Sequence, residues 1–351
     1  MTSTSQRNGQ TILELAMSSK NVTSDMVPVE RTLLVIGSKN SGKTSLIHSF
    51  FDKNEKPKPT LALEYSFARR SGKSLTKDIC HVWELGGGLV FKDLLSVIVQ
   101  KTRGRRLSVV LVLDLSKPDI LWNTMEMLLE EIKIHLENVP EIEQYNQINV
   151  KNVEDKKFLS PLPIPLMIVG SKYDVYQNFE PAKKRVLCQC LRYVAHTYGA
   201  SLIFYGVNDA VLVKISKEMM SHYGFGTPYP KNHIYDSNKP LLVPVGSDCF
   251  DKIDNLNEAG SIRSIHKYKS VFASNFKQIS LESGSHASST DNTDPLNDPN
   301  YADPLIDESL KKKQEVCDKN ISTTQSTYNI IQSWANFYLN SSSVIRTTYC
   351  I

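Results

Sequence analysis

The sequence predicts an α/β fold with a mostly parallel central sheet flanked by helices. Three observations carry that expectation. Apolar runs of strand length alternate with amphipathic segments of helical period from residue 31 to about residue 225. The run LSVVLVLDL, residues 107–115, is apolar almost without a break, as suits a strand covered by helices on both faces. A glycine-rich stretch, GSKNSGKT, residues 37–44, joins the first strand to the first helix.

The elements follow in order. Residues 1–30 are polar and read as a loose arm, with a short helix over 12–17. Residues 31–36 form a buried strand and 43–51 a helix; 61–67 and 78–85 are strands, followed by the apolar strand 107–115. Over 119–138, Leu121, Met125, Leu128, Ile132 and Leu136 recur at spacings of three or four, which is the stripe of an amphipathic helix. Residues 139–162 are a polar insertion, expected as an exposed loop or partial helix. Residues 165–169 are another buried strand, and 180–198 an amphipathic helix closed by Gly199. A last short strand, 201–205, precedes a helix over 209–222. Residues 226–281 read as an extension packing on the 31–225 domain. Residues 282–351 read as a flexible, acidic and low-complexity tail, with a short helix around 330–338.

Composition narrows the function classes. The 351 residues suffice for one large domain with extensions. Hydrophobic residues at 40% and charged residues at 22% are an ordinary globular balance. A net charge of +4 is too small an excess to mark a nucleic-acid footprint. No apolar run approaches the ~20 residues that span a bilayer, and the N-terminal stretch lacks a signal-peptide core. Cys80, Cys188, Cys190, Cys249, Cys317 and Cys350 show neither metal-ligand nor disulfide spacing. They read as reduced thiols of a cytosolic protein, with Cys188 and Cys190 on different faces of one helix.

The GSKNSGKT stretch fits G-x-x-x-x-G-K-[ST] between a strand and a helix. Gly37 and Gly42 permit backbone conformations that side chains would block. Successive N–H groups, from Asn40 and Ser41 through Ser45, then converge on phosphate oxygens at the positive end of a helix. Lys43 supplies a cation for the terminal phosphates, and Thr44 a hydroxyl for Mg²⁺. The competing readings are a turn with no ligand and a site that folds correctly but stays empty.

Guanine is indicated by Gly170-Ser171-Lys172-Tyr173-Asp174, directly after a buried strand. Asp174 suits hydrogen bonds from guanine N1 and N2, which adenine cannot supply, and the Lys172 stem suits the base face. Ser171 stands where Asn or Thr is usual, so the link from base loop to phosphate loop is expected to be weaker. Trp83-Glu84-Leu85-Gly86-Gly87-Gly88 is similar to the W-D-x-G-G-Q stretch of small GTPases. Gly87 matches the glycine whose N–H meets the terminal phosphate, Glu84 stands where Asp reaches Mg²⁺, and Gly88 replaces the glutamine that orients water. Thr60 is the candidate to close over Mg²⁺. Arg69 and Arg70 follow nearby; they either approach the phosphates or, the commoner case, are solvated surface charges. Phe91, Leu94 and Leu95 either face a partner or, again more commonly, are buried in the domain.

These motifs refine the expectation to a Ras-like P-loop GTPase fold with N- and C-terminal extensions. The expected ligand is GTP or GDP with Mg²⁺. The nucleotide contacts are Gly37, Asn40, Ser41, Gly42, Lys43, Thr44, Ser45, Thr60, Gly87, Lys172 and Asp174, and the metal contacts Thr44, Thr60 and Glu84. No catalytic residue is assigned.

A more specific likeness rests on GSKNSGKTS, KPTLALEYSFARR, HVWELGGG, LVLDLSKPDILW with TMEMLL, and GSKYDVYQNFE with LRYVAHTYGASL. Together they resemble the dynein light intermediate chain family, and within it the dynein-2 branch of intraflagellar transport. Matching stretches run from about 31 to 250, and DPLNDPNYADPLIDE resembles that branch's acidic C-terminal motif. The resemblance implies a non-catalytic subunit that binds the dynein-2 heavy-chain tail beside other dynein-2 subunits. It implies work in retrograde transport and cilium assembly, in the cytoplasm and cytoskeleton and at the cilium, axoneme and basal body, with no nucleic acid and no membrane insertion. Gly37, Gly42, Lys43 and Thr44 carry over as nucleotide contacts. Tyr205-Gly206-Val207 departs from an S-A-K-like base loop, and the chain from about 315 no longer follows the family. The alternatives are a free-standing regulatory small GTPase and an ATP-using P-loop enzyme, the latter disfavoured by residues 170–174.

Overall fold

A computed structural model describes residues 30–71, 77–102, 106–139, 155–230, 232–253 and 264–279, together with 304, 308–309, 311–313 and 315–316. The chain divides into two compact units, Met1–His286 and Ala287–Ile351. In the second, the described residues are helical and exposed, with Lys312 bonded to Glu308 at 2.7 Å.

The first unit is built on a seven-stranded sheet in the order β2-β3-β1-β4-β5-β6-β7. Its strands are β1 (Glu30–Gly37), β2 (Leu63–Ser71), β3 (Lys77–Leu85), β4 (Leu107–Asp114), β5 (Leu166–Ser171), β6 (Ser201–Phe204) and β7 (Leu242–Val243). The interior pairs are parallel. Among the described strands the two edge pairings, β2 on β3 and β7 on β6, are antiparallel. The expected α/β fold with a mostly parallel sheet is therefore the observed one.

Helices cover both faces, as interior parallel strands require. Leu33 and Val35 of β1 point into a cluster with Leu46 and Ile47 of α1 (Lys43–Phe50) and Met219, Met220 and Tyr223 of α6 (Ala210–Phe225). Leu34 and Ile36 point to the other side, against α2 (Leu95–Thr102), α3 (Pro118–Glu137) and α5 (Pro181–Thr197). All eight β4 positions are buried. The predicted stripe on α3, Leu121 to Leu136, is buried throughout. Gly199, at φ +64°, ends α5 as expected, and the next N–H, of Ala200, donates back to Ala195 at 2.7 Å.

Several elements differ from the sequence reading. β2 starts two residues later than expected and runs on to Ser71. A 3₁₀ segment, Gly88–Leu94, leads into α2, a helix that was not anticipated. Leu95 is fully buried, and Phe91 and Leu94 pack partly buried against the core, so all three are core residues. β6 is not the last strand: β7 pairs Leu202 with Val243 and Ile203 with Leu242. Beyond it lie the short α7 (Phe250–Ile253) and α8 (Ile265–Asn275). Tyr268 of α8 stacks on Tyr193 of α5 with ring centres 3.8 Å apart, and Phe272 meets Trp122 of α3 at 5.4 Å. The end of the polar insertion is the 3₁₀ turn Asp155–Phe158, the partial helix expected, exposed from Lys156 to Phe158 but anchored through Asp155. Asp155 is fully buried, meets His196 Nε2 at 3.0 Å and accepts from the Phe250 N–H at 3.2 Å. The helices expected at 12–17 and 330–338 and the low-complexity segment lie outside the described residues.

Cys188 and Cys190 do face different partners, the Tyr176 hydroxyl at 2.9 Å and the Tyr268 carbonyl at 3.7 Å. Burial pushes both thiols, and that of Cys80, up to about 12, which makes them inert at neutral pH. Cys317 and Cys350 lie outside the described residues. Among the described residues no helix is long and apolar enough to cross a membrane.

One buried ion pair ties the segment after β7 to α5. Arg192 donates from Nε and from a terminal nitrogen to the two Asp248 oxygens, both at 2.7 Å, with 9% and 2% of the side chains exposed. Removing one partner strands the other charge in the interior. Asp248→Ala is therefore expected to cost about 3–5 kcal/mol in urea unfolding. Arg192→Lys should recover little, because an ammonium cannot reproduce the two-pronged contact.

Candidate functional site: a phosphate loop between the first strand and the first helix

β1 runs into the loop at Gly37, where an added Cβ would lie 2.2 Å from the Val112 carbonyl oxygen of β4. Only glycine lets the loop begin that close to its neighbour strand. The backbone then passes through left-handed conformations at Asn40 (φ +61°) and Gly42 (φ +89°) before α1 starts at Lys43. No side chain caps this helix, so its first N–H groups remain available to an anion.

Lys43 is only 5% exposed. Its Nζ donates to the carbonyls of Ser38 at 2.8 Å and Gly37 at 3.2 Å. Burial lowers its pKa to about 8, against a smaller opposing pull from the Glu84 carboxylate. The Ser41 hydroxyl is fully buried and has no hydrogen-bond partner among the described residues. A buried orphan of that kind is costly unless a ligand satisfies it.

The three residues assigned to Mg²⁺ converge. Thr44 Oγ1 donates to Glu84 Oε1 at 2.7 Å and lies 3.4 Å from Thr60 Oγ1. Glu84 is 4% exposed; burial raises its pKa, and the Thr44 hydrogen bond and Lys43 offset part of that rise. Glu64 joins the cluster through Thr60 at 3.4 Å and was not picked out from the sequence. Its only signal is an acid four residues beyond a candidate threonine. Among the described residues no cluster of three or more His, Cys, Asp and Glu suits a metal. Any cation here would thus rest on hydroxyls and one or two carboxylates.

Gly87 and Gly88 both have positive φ, 64° and 62°. A Cβ on Gly88 would sit 3.3 Å from the Lys39 nitrogen and the Ser38 Cα. This residue leans on the phosphate loop itself and offers no functional group there.

The base side is assembled from three loops. Ser171 donates to the Ser41 carbonyl at 2.6 Å and lies 3.0 Å from that of Leu113, so the link expected to be weak is made directly. The shorter side chain suffices because the loops touch: a Cβ on Gly42 would be 3.7 Å from that of Ser171. Lys172 has φ +58°, and its Nζ bonds Asp114 at 2.6 Å. Asp114, only 4% exposed at the end of β4, was missed because an acid closing an apolar run reads as a simple strand end. Asp174 is exposed in the first turn of α4 (Tyr173–Tyr176), and its carboxylate has no partner among the described residues. Gly206 approaches from the third loop, where an added Cβ would be 3.9 Å from the Asp174 nitrogen. Ser45 is reached through its carbonyl by the Tyr205 hydroxyl at 3.3 Å. Arg69 lies over the Phe67 ring at 5.0 Å, and Arg70 lines an open groove of about 520 Å³ with Lys214, Lys217 and Phe225. Neither arginine bonds the phosphate loop.

Comparison with known proteins is consistent with this architecture. A family model described as "Dynein light intermediate chain (DLIC)" matches residues 10–159. The chain is 40% identical over 309 residues to "Cytoplasmic dynein 2 light intermediate chain 1" of Bos taurus, covering 82% of this chain and 86% of that one. The Homo sapiens protein of the same name is 40% identical over 302 residues, covering 80% and 84%. The human "Cytoplasmic dynein 1 light intermediate chain 1" is 23% identical over 304 residues and is matched over only 56% of its length. The crystal structure of the dynein light intermediate chain's conserved domain superposes with a TM-score of 0.50, over 72% of this chain and 92% of that one, at 16% identity, a likeness of fold. By the extent of its identity to the dynein 2 chains, the protein belongs to the dynein light intermediate chain family.

Proposed function

We propose that this chain is a non-catalytic light intermediate chain of a dynein-2 motor. In this reading it binds and stabilises the heavy-chain tail for retrograde intraflagellar transport and cilium assembly, in the cytoplasm and the cilium. The observation that carries the reading is the identity to dynein 2 light intermediate chains over most of both chains' length. The phosphate site is read as structural. Lys43 and the loop amides would hold the phosphates of GTP or GDP, the Ser41 hydroxyl would gain a partner, and Asp174 would take the guanine edge. Thr44, Thr60 and Glu84 suit Mg²⁺, which supplies charge neutralisation when bound. Phosphoryl transfer depends on a positioned attacking water. Gly88 has no group to position one, and its backbone already rests against the loop. Bound nucleotide then stabilises the folded subunit by mass action. The Thr44–Thr60–Glu84 cluster is what favours the second reading, a switching GTPase whose catalytic group comes from a partner.

Affinity capture of the full chain from ciliated cells distinguishes these readings. Co-purification of a very large motor polypeptide and other dynein subunits is expected. Recovery of the chain alone, with brisk unassisted GTP turnover, would overturn the proposal.

Two further outcomes concern the site. Lys43→Ala is expected to lower the guanine nucleotide released on denaturing the purified protein by about tenfold or more, since a charge-assisted contact is lost. Unchanged release would remove Lys43 from the site.

The second outcome is a pH dependence. The folded Lys43 pKa of about 8 lies below its unfolded value of 10.5. Between those limits the unfolded chain binds more protons, so this group makes the nucleotide-free protein more stable as pH rises through that window. Phosphates select the ammonium form, so nucleotide affinity should fall as pH rises above about 8, with proton uptake on binding. Titration calorimetry in buffers of different ionisation enthalpy measures that uptake; its absence near pH 8 would contradict the assignment.

A further inference from the structure

β2 closes one side of the sheet, and no described strand pairs with its outer edge. Its nine residues, LEYSFARRS, make a long open edge, the kind that proteins ordinarily shorten, cover or charge. The backbone alternation says which groups are unpaired. Gly86 donates its N–H to the Ala62 carbonyl at 2.6 Å, in line with the register that sets Leu63 opposite Leu85 and Glu64 opposite Glu84. Ala62, Glu64, Ser66, Ala68 and Arg70 therefore face β3 with their backbone groups, while Tyr65, Phe67 and Arg69 turn theirs outward.

The side chains on this edge are unusually open. Tyr65 is 45% and Phe67 48% exposed. Glu64, Arg69 and Arg70 are exposed as well; within the chain the acid nearest in register to Arg70 is Asp78, opposite it in β3. Laid antiparallel on a copy of itself about Phe67, the strand is complementary. Glu64 meets Arg70, Tyr65 meets Arg69, and Phe67 meets Phe67. That register joins outward-facing backbone groups to outward-facing ones, as a ladder needs. Sliding by two residues in one direction sets Glu64 against Ala68; in the other it carries Glu64 past the strand end. A parallel copy in register would pair like charges.

We propose that β2 is the contact surface for a second copy of this chain, which adds antiparallel about a twofold axis through Phe67. The contact is isologous, so each complementary pair occurs twice. Opposite charges and aromatic–cation pairs across neighbouring strands are favourable. Each copy brings its Glu64 carboxylate to its neighbour's Arg70, on the side of the strand away from Asp78. This inference depends neither on bound nucleotide nor on assembly into a motor.

Sedimentation velocity of the purified full chain over a roughly hundredfold concentration range tests it. A concentration-dependent dimer is expected. Glu64→Arg and Arg70→Glu should each weaken it about tenfold, and the double reversal should restore it to within about threefold. Phe67→Cys should form a disulfide-linked dimer on mild oxidation, because paired Cα atoms in such a ladder lie about 5.5 Å apart. Val97→Cys, exposed on α2 rather than on the strand, should not. Glu64 adjoins Thr60, so Arg70→Glu and the Phe67→Cys cross-link test the contact away from that cluster. A monomer at every concentration, a double reversal no better than the single ones, or cross-linking no faster than at Val97→Cys would overturn the proposal. So would protection of the β2 amides from hydrogen exchange only when a different polypeptide is added.

Discussion

Lys43 carries its charge into a place where almost no water reaches it, and the loop carbonyls of Gly37 and Ser38 are what keep it there. An ammonium in that position is a cost to the free protein, offset only by carbonyl dipoles and the nearby Glu84. The features around it follow from that constraint. Gly37 must be glycine to bring the loop against β4. The loop must turn through left-handed backbone to aim its amides at the same spot. A buried acid, itself destabilised by burial, is held beside the cation by Thr44. The site is thus strained electrostatically in the direction that an anion and a cation together would relieve.

Much of the fold was legible because it rests on local pattern. β1, β4 and β5 are strands buried on both faces, and such strands announce themselves as unbroken apolar runs. α3 and α5 are long enough for their period to be counted. What escaped was short or depended on distant partners. α2 has only eight residues and follows three glycines, so its Leu95, Ile98 and Val99 did not form a countable stripe. β7 is two residues that exist as a strand only because β6 is beside them. α8 is set by aromatic stacking on residues some 75 and 150 positions earlier in the chain, Tyr193 and Trp122.

The candidate site divides in the same way. The loop over residues 37–44 is a contiguous motif, so its place between β1 and α1 could be read in advance. Thr60 and Glu84 were found through small-GTPase spacing, and they do come together around Thr44. Glu64 and Asp114 carry no motif; each matters through what the fold brings next to it, Thr60 in one case and Lys172 in the other. At Ser171 the sequence shows only a smaller side chain than the usual Asn or Thr, not the spacing between the loops. In the folded chain, the two loops are close enough for a serine to span.

The clamp between Arg192 and Asp248 bears on how this molecule can be cut. The last helix that packs on the parallel strands before β7 ends at Phe225, which would look like a natural place to stop a recombinant fragment. Such a fragment would leave a guanidinium inside the protein with no anion, and would strip the cover from Trp122 and Tyr193 as well. The portion after Phe225 is a wall of the building rather than a porch. Crystallisation or display work on an isolated GTPase-like body should keep the polypeptide through about residue 279.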